Sequence, residues 1–527
     1  MGGRFTHATK LDSLTSLCHG RTMPRVSARV SRRSVLQGLG GSAATLALSG
    51  CATTSSRSGP RPNIVFIMTD DHAQAALSSY GNSILKTPNL DRIGAEGVRF
   101  TEAFVTNSLC LPSRATCLTG LYSHTHGLMT NGEESGFMNE PRLDNAATWP
   151  NLLRAAGYYT GVVGKWHVNN PPGGYDYTAV LPGQGMYFDP PILIQGQMSR
   201  GKGHTDDVIG AEAIGFLNRR PANQPFALLY QFKAPHRGWE PAPRFANAFA
   251  DVEIPPPPDL YESLASRPLP LRLSDMRFAD MPDYRNRGVR ADMPEEERAR
   301  LNWQHFIKDY YRVLLGVDEN VGRFLDYLDA QGLSENTLIV YTSDNGFFLG
   351  ENGLFDKRLM YEPSIRVPML VRHPASIPAG QVNREHMLLN VDVAPTFLDA
   401  GGAAPAPAMQ GRSWLPVAQG KRLSSWRTDF LYEYFEFPAA HCVRRHRGVR
   451  TNRWKLIHWD YPEAWELYDL ASDPGEDRNL AGLPQYAGQE AELRARLAEL
   501  RRELGDVDPP GYVPGDPADL RHCKAVR

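Results

Sequence analysis

Cysteine is scarce in this chain, with six in 527 residues, and none stands at a spacing that holds a metal or frames a disulfide-stapled scaffold. A zinc module and a disulfide-dense secreted domain are both excluded. Cys18 falls in a leader, Cys51 and Cys110 have the separate roles argued below, and Cys117, Cys442 and Cys523 leave room for one bridge at most. Net charge is scarce too, at −1 for the whole chain, but residues 1–50 carry seven Lys/Arg against Asp12 alone. The remainder has 50 basic against 57 acidic residues, a net of −7. Such a chain does not coat nucleic acid, so an anionic substrate must be met by a local basic pocket. The third absence is a membrane-spanning run, because the weakly apolar Gly/Ala/Leu stretch after Arg33 is too short for one. What remains is long enough for one large α/β core and a smaller unit.

Ser31-Arg32-Arg33-Ser34-Val35-Leu36 is a twin-arginine pattern, and Leu48-Ser49-Gly50-Cys51 resembles the box cut before a cysteine that receives lipid. Residues 1–50 therefore read as an export signal, with Met23 an alternative start, and Cys51 as the lipidated residue. The expected location is periplasmic or cell-surface, the only membrane attachment being the lipid. Ala52 to Pro60 has nothing to bury and makes residues 51–61 a flexible tether.

Pro62-Asn63-Ile64-Val65-Phe66-Ile67-Met68 is a continuous β-branched-rich run of the kind found in a parallel strand covered on both faces. It stops at Thr69-Asp70-Asp71, and adjacent carboxylates at a strand's carboxyl end repel one another unless a cation sits between them. Leu338-Ile339-Val340-Tyr341-Thr342-Ser343 repeats the design and ends in Asp344-Asn345. Oxygen donors of this kind suit Ca2+ or Mg2+ rather than zinc. Between them lies Cys110-Leu111-Pro112-Ser113-Arg114-Ala115-Thr116-Cys117-Leu118-Thr119-Gly120. Pro112 is expected at the first helical position, which puts Cys110 at the positive end of a helix with Arg114 one turn on, a seat for a tetrahedral oxyanion. Cys117, two turns after Cys110, is expected to pack inward. Thr87-Pro88 is expected to cap and open another helix. Lys165 and His167, in Gly164-Lys165-Trp166-His167, fall on one face of a strand end if the chain stays extended.

The C-x-P-S-R-x4-T-G frame resembles the signature of the type I sulfatases, and the likeness continues over most of residues 61–485. It implies an alkaline-phosphatase-like α/β fold: a large mixed, mostly parallel sheet flanked by helices, with a smaller C-terminal antiparallel sheet and a helix. It implies that a formylglycine-generating enzyme oxidises Cys110, and that Asp70, Asp71, Asp344, Asn345 and the modified Cys110 hold one Ca2+ per chain, with Mg2+ the other candidate. Arg114, Lys165, His167, His236 of Lys233-Ala234-Pro235-His236, and Lys357 of Gly353-Leu354-Phe355-Asp356-Lys357-Arg358 complete the implied catalytic set. His236 or Lys357 would protonate the leaving alcohol and His167 would act as base. Asn352 stands where relatives commonly have His, and is expected to bear on glycan choice.

Residues 62–405 are expected to form the catalytic domain, 406–510 the C-terminal subdomain and 511–527 a tail. A helical stripe through Leu301, Tyr310, Leu314, Val317, Val321, Leu325 and Leu328 reads as core, and the Pro/Arg-rich residues 255–292 as an ordered excursion over the rim. Short strands from about Trp426 and a charged helix from Gln489 to Leu504 make up the C-terminal unit. Thr69-Asp70-Asp71-His72-Ala73, Val105 to Cys110, Leu181-Pro182-Gly183-Gln184-Gly185 and Leu349-Gly350-Glu351 are similar to bacterial N-acetylglucosamine-6-sulfatases, which implies a sulfated glycan such as 6-sulfated N-acetylglucosamine. Two alternatives stand beside it: a phosphonate or phosphate monoester hydrolase of the same superfamily, and an inactive glycan-binding surface lipoprotein.

Overall fold

A computed structural model of the chain describes residues 60–132, 140–508 and 523. The twin-arginine pair, Cys51, most of the 51–61 tether and nearly all of the 511–527 tail lie outside the described residues. Among the described residues no helix is long and apolar enough to cross a membrane.

The apolar runs form the middle of a ten-stranded sheet, in spatial order Gln381–Asn383, Val98–Phe100, Met369–Arg372, Thr337–Ser343, Asn63–Thr69, Phe226–Gln231, Tyr159–Lys165, Tyr177–Leu181, Pro191–Ile194 and Gln197–Arg200. The five strands from 337–343 to 177–181 are mutually parallel, and antiparallel pairs occur toward both edges. All seven residues of the 63–69 strand are buried because successive side chains enter different cores. Ile64, Phe66 and Met68 face one side, with Trp149 and Phe397; Val65 and Ile67 face the other, with Phe324 and Leu325. The long helix Glu295–Ala330 covers that second side with the stripe read from sequence. Cys110–Thr119, Trp149–Ala155 and Val393–Gly401 cover the first.

The first core runs on without a break into the C-terminal sheet of four antiparallel strands, Asp429–Tyr434, His446–Thr451, Trp454–Trp459 and Ala464–Asp469. Leu493, Leu497 and Leu500 of the helix Ala487–Leu504 close it. This sheet also reaches the catalytic side directly. Glu433 N donates to the Thr106 carbonyl at 2.9 Å, and Tyr432 Oη to the Arg358 carbonyl at 2.6 Å. Cys442 and Cys523 are bridged, while Cys110 and Cys117 are free and buried.

One local reading is corrected. Thr87 precedes the helix Pro88–Ala95, but its side chain makes no capping bond: Oγ1 accepts from Ser78 N at 3.2 Å and lies 3.3 Å from Asp91 Oδ1. Packing of the Ser78 turn against this helix engages the hydroxyl first.

Candidate active site

Strand register brings the carboxylates together. Thr69 pairs with Ser343 across two parallel strands, so the chain after each strand emerges at the same level and Asp344 N donates to the Thr69 carbonyl at 3.1 Å. Asp71, whose φ is 71°, donates its N–H to Asp344 Oδ1 at 3.2 Å, and Asn345 Nδ2 donates to Asp71 Oδ1 at 2.7 Å. On the side of the 63–69 strand away from Asp344, the next two strands in turn deliver Lys233 and His236 and then Lys165 to the carboxyl edge where open α/β sheets bind ligands. That edge is tight. A Cβ at Gly164 would fall 1.8 Å from the Gln231 carbonyl, and its φ is +97°.

Cys110 is the first residue of its helix, as expected, but Pro112 is the third rather than the first. The first four helical N–H groups have no intrahelical acceptor, so a proline anywhere in that turn costs no bond. Arg114 is 1% exposed and works as a clamp. Its Nε donates to Asp344 Oδ2 at 2.9 Å, one terminal nitrogen to Asp70 at 3.4 Å, and the other to Gln231 Oε1 at 2.8 Å and the Lys165 carbonyl at 3.0 Å. Cys110 Sγ lies 3.3 Å from Asp70 Oδ1 and 3.2 Å from Lys357 Nζ. Lys357 Nζ also donates to Asp71 Oδ1 at 2.5 Å, and Lys165 Nζ is paired with Asp70. His236 Nε2 is 3.9 Å from Asp71 Oδ2.

His167 reaches the cluster by a different route from the extended-strand reading. The strand ends at Lys165 and His167 has φ 45°, so a left-handed turn replaces the shared strand face. Both side chains instead meet Gln184, whose Oε1 accepts from Lys165 Nζ at 2.5 Å and whose Nε2 lies 3.0 Å from His167 Nε2. With its oxygen taken by an ammonium, Gln184 turns its amide nitrogen to the imidazole and ties His167 to Lys165.

The charges are strongly interdependent. Burial pushes Asp70 up, but Lys165, His236, Arg114 and Lys357 outweigh it and hold the carboxyl well below its ordinary value. Burial carries Asp71 to about 7 and Asp344 to about 6, assisted by their mutual repulsion with Asp70 and opposed by Lys357 and Arg114. Burial and Asp70 drive the Cys110 thiol well above its usual range, while burial and Lys165 keep His236 well below its own. Burial works against the charge on Lys357, yet Asp71 and its neighbours raise it well above normal.

These residues fit a hard divalent cation. One carboxylate oxygen from each of Asp70, Asp71 and Asp344 lies within 4.8 Å of the others. Asn345 Oδ1 is buried with no hydrogen-bond partner among the described residues, although Nδ2 of the same amide has two. Three crowded carboxylates and an orphaned carbonyl oxygen are what an oxygen-seeking cation satisfies.

Sequence reasoning missed several residues here. Gln184 sat in a quoted stretch without a role, and Lys233 stood three positions before His236. Asp356 and Arg358 flank Lys357 with φ of 75° and 85°, left-handed values that cost energy outside glycine and gather at functional sites. Asp356 is also 3.2 Å from His441 Nε2, which no local pattern marked. Asn352 is 1% exposed, takes Asp259 Oδ2 on its N–H at 2.6 Å and gives Nδ2 to the Gly475 carbonyl at 3.0 Å, so it ties the 255–292 excursion to the C-terminal unit.

The sulfatase family model matches residues 62–403, and a C-terminal model described for N-sulphoglucosamine sulphohydrolase matches residues 350–503. The chain belongs to the sulfatase family. This sulfatase is 40% identical over 514 residues to an N-acetylglucosamine-6-O-sulfatase of Bacteroides thetaiotaomicron, covering 88% of this chain and 91% of the relative. It is 29% identical to the Homo sapiens N-acetylglucosamine-6-sulfatase, covering 80% and 81%. A solved structure in complex with its substrate, D-glucosamine-2-N,6-O-disulfate, superposes with a TM-score of 0.79 at 38% identity, covering 86% of this chain and all of that one. The fold is the alkaline-phosphatase-like sulfatase fold, and the enzyme hydrolyses sulfate esters. Sulfatases of this family generally use formylglycine and a divalent cation.

Proposed function

We propose that this sulfatase removes the 6-sulfate from glucosamine residues of a sulfated glycan, with formylglycine made from Cys110 as nucleophile. The observation that carries the substrate class is the 40% identity, across nearly the whole chain, to an N-acetylglucosamine-6-O-sulfatase. Asp70, Asp71, Asp344, Asn345 and residue 110 hold one Ca2+ in this reading, which when bound offsets negative charge on the sulfate and the nucleophile. Formylglycine at position 110 would supply, as its hydrate, the nucleophilic hydroxyl for sulfur; deprotonation of its second hydroxyl would re-form the aldehyde, break the bond to sulfate and release inorganic sulfate. Arg114 fixes Asp70 and Asp344, while Lys165 and Lys357 bring positive charge to the same point. The leaving alcohol takes its proton from His236 or Lys357, and His167, whose ring Gln184 contacts at Nε2, receives one from residue 110.

The chain is further read as an exported lipoprotein, matured by a formylglycine-generating enzyme, carried by the twin-arginine machinery and tethered through Cys51 as a periplasmic or surface enzyme. The motif around Arg32-Arg33 and the box ending at Cys51 support this. Replacing both arginines with Lys should leave precursor in the cytoplasm.

A panel of sulfated monosaccharides tests the substrate. 6-Sulfated N-acetylglucosamine should be cleaved with a much higher kcat/KM than galactose sulfates or simple aryl sulfates, because remote binding energy raises turnover only when the true leaving group fills the rim. Equal rates on the galactose sulfates would overturn the substrate class. A higher kcat/KM on aryl phosphonate than on any sulfate would favour the phosphonate hydrolase reading.

A further inference from the structure

A cavity of about 500 Å3 lies beside the catalytic cluster rather than within it. Its walls include Arg237, the residue after His236, and Phe355, two before Lys357. His441, whose Nε2 is 3.2 Å from Asp356 Oδ2, lines the cavity as well. Most of the remaining wall comes from residues 275–298, the later part of the excursion and the start of the long helix.

Two features of that wall point to a ligand. The first is charge. Arg237, Arg285, Arg290 and Arg298 all line the cavity, against the carboxylates of Asp275 and Asp280, in a chain that is net acidic beyond its leader. Their partners differ in kind. Arg237 is held in a fork by Asp283, at 2.7 and 2.5 Å, and is a fixed part of the wall. Arg298 is held by the Ala279 and Met293 carbonyls at 3.1 and 2.9 Å as well as by Asp280, whereas Arg290 bonds at 3.0 Å to Asp292, a carboxylate 74% exposed, and surface pairs of that kind are weak. The Arg285 guanidinium has no carboxylate partner among the described residues. The second feature is an apolar lining: Phe355, Met281, Ala279 and Val289 are buried side chains in the same wall. Apolar contact with a guanidinium border fits the face of a pyranose that carries an anionic substituent. The volume falls within the roughly 300–1,000 Å3 of ordinary ligand clefts.

We infer that this cavity is a second anion subsite, taking an additional acidic group, a sulfate or a carboxylate, on the glycan whose 6-sulfate is removed next door, with Arg285 its principal contact and Arg290 able to leave its solvent-exposed carboxylate for it. The inference rests on the glucosamine 6-sulfate reading above, and it makes the preferred substrate a multiply acidic glycan rather than a singly sulfated sugar. A guanidinium–oxyanion contact is bidentate and charge-assisted, so one lost arginine changes relative affinity by a readable factor.

The test uses the mature enzyme and compares kcat/KM for three 6-sulfated sugars: N-acetylglucosamine-6-sulfate, glucosamine-2-N,6-O-disulfate, and a 6-sulfated glucosamine linked to a uronic acid. The wild type should favour at least one of the doubly acidic sugars. Arg285→Gln should cut that preference about tenfold, the scale of one hydrogen-bonded charge, and Arg285→Gln with Arg290→Gln should cut it further. Which of the two sugars loses its advantage identifies the second group as sulfate or carboxylate. Removing Arg285 breaks no ion pair, so the variant should fold, as an unchanged Tm would show. If Arg285→Gln and the double variant keep the wild-type preference, or if the wild type has none, the subsite is overturned while glucosamine 6-sulfatase activity stands. A wild type that cleaved no glucosamine sulfate would overturn both.

Discussion

On the floor of the cleft, four adjacent parallel strands end at one level and deliver Asp70, Asp71, Lys165, His236 and Asp344 into one bonded cluster with Cys110 and Arg114. On the rim, Arg285, Asp356, His441 and Asn352 come from an excursion, a short hairpin, a turn beside a disulfide and a single 3-10 turn, and the last three are held by contacts between distant segments. The floor is held by backbone register, so a substitution there alters chemistry more than fold. The rim is held by side chains that also carry stability, so there the two are harder to separate.

The most severe break should come at the floor. Cys110→Ala should retain the fold by circular dichroism and Tm while lowering turnover of every sulfate ester by on the order of a thousandfold or more, as loss of a nucleophile does. Mass spectrometry of the mature wild type should show an aldehyde at position 110 that reacts with hydrazide, and a free thiol in fully active protein would refute the nucleophile. Asp344→Asn should cost on the order of a hundredfold in activity, and titration calorimetry on the chelated protein should show weaker Ca2+ binding. Activity surviving complete metal removal would count against the cation site. Gln184→Leu tests whether orientation of His167 matters: kcat should fall about tenfold with less change in KM, and an unchanged kcat would reduce Gln184 to packing.

Smaller effects belong to the rim and the C-terminal sheet. Asn352→Ala removes the bond to the Gly475 carbonyl and should lower stability by about 1 kcal/mol, read as a fall in Tm; a changed ranking among sulfated sugars would add the bearing on glycan choice expected from sequence, and an unchanged one would leave Asn352 a structural tie. The smallest effect concerns His446, fully buried against Trp459 with its Nδ1–H donating to the Arg444 carbonyl at 2.8 Å. Burial lowers its pKa to about 4, whereas an unfolded histidine takes its proton near 6.5. Between those values the unfolded chain binds more protons, so this residue removes stability as pH falls from 6.5 to 4, by at most about 1.4 kcal/mol per pH unit. His446→Phe should flatten that part of a Tm-against-pH curve, and an unaltered slope would mean the ring titrates normally.

The clustered carboxylates, the cysteine helix and the strands that carry them were legible because each is a local pattern, a buried β-branched run succeeded at once by polar residues. A parallel sheet then gathers such patterns without further instruction, because consecutive strand ends share one edge. The same locality explains the misreadings. Pro112 tolerates any place in an unbonded first turn, and His167 left the extended conformation that its spacing assumed. That Asn352 ties together segments 93 and 123 residues away was not legible in its local pattern.

What the sequence determined by itself was therefore the family, the sheet that builds the floor and the chemistry placed at its strand ends, since hydrophobic period and residue type act over a few residues. Only the tertiary structure decided that Gln184 joins Lys165 to His167, that His441 stands beside Asp356, and that four arginines surround one cavity. Those meetings depend on where long connections and the C-terminal sheet come to rest, and packing of distant side chains sets that, leaving no mark in local spacing.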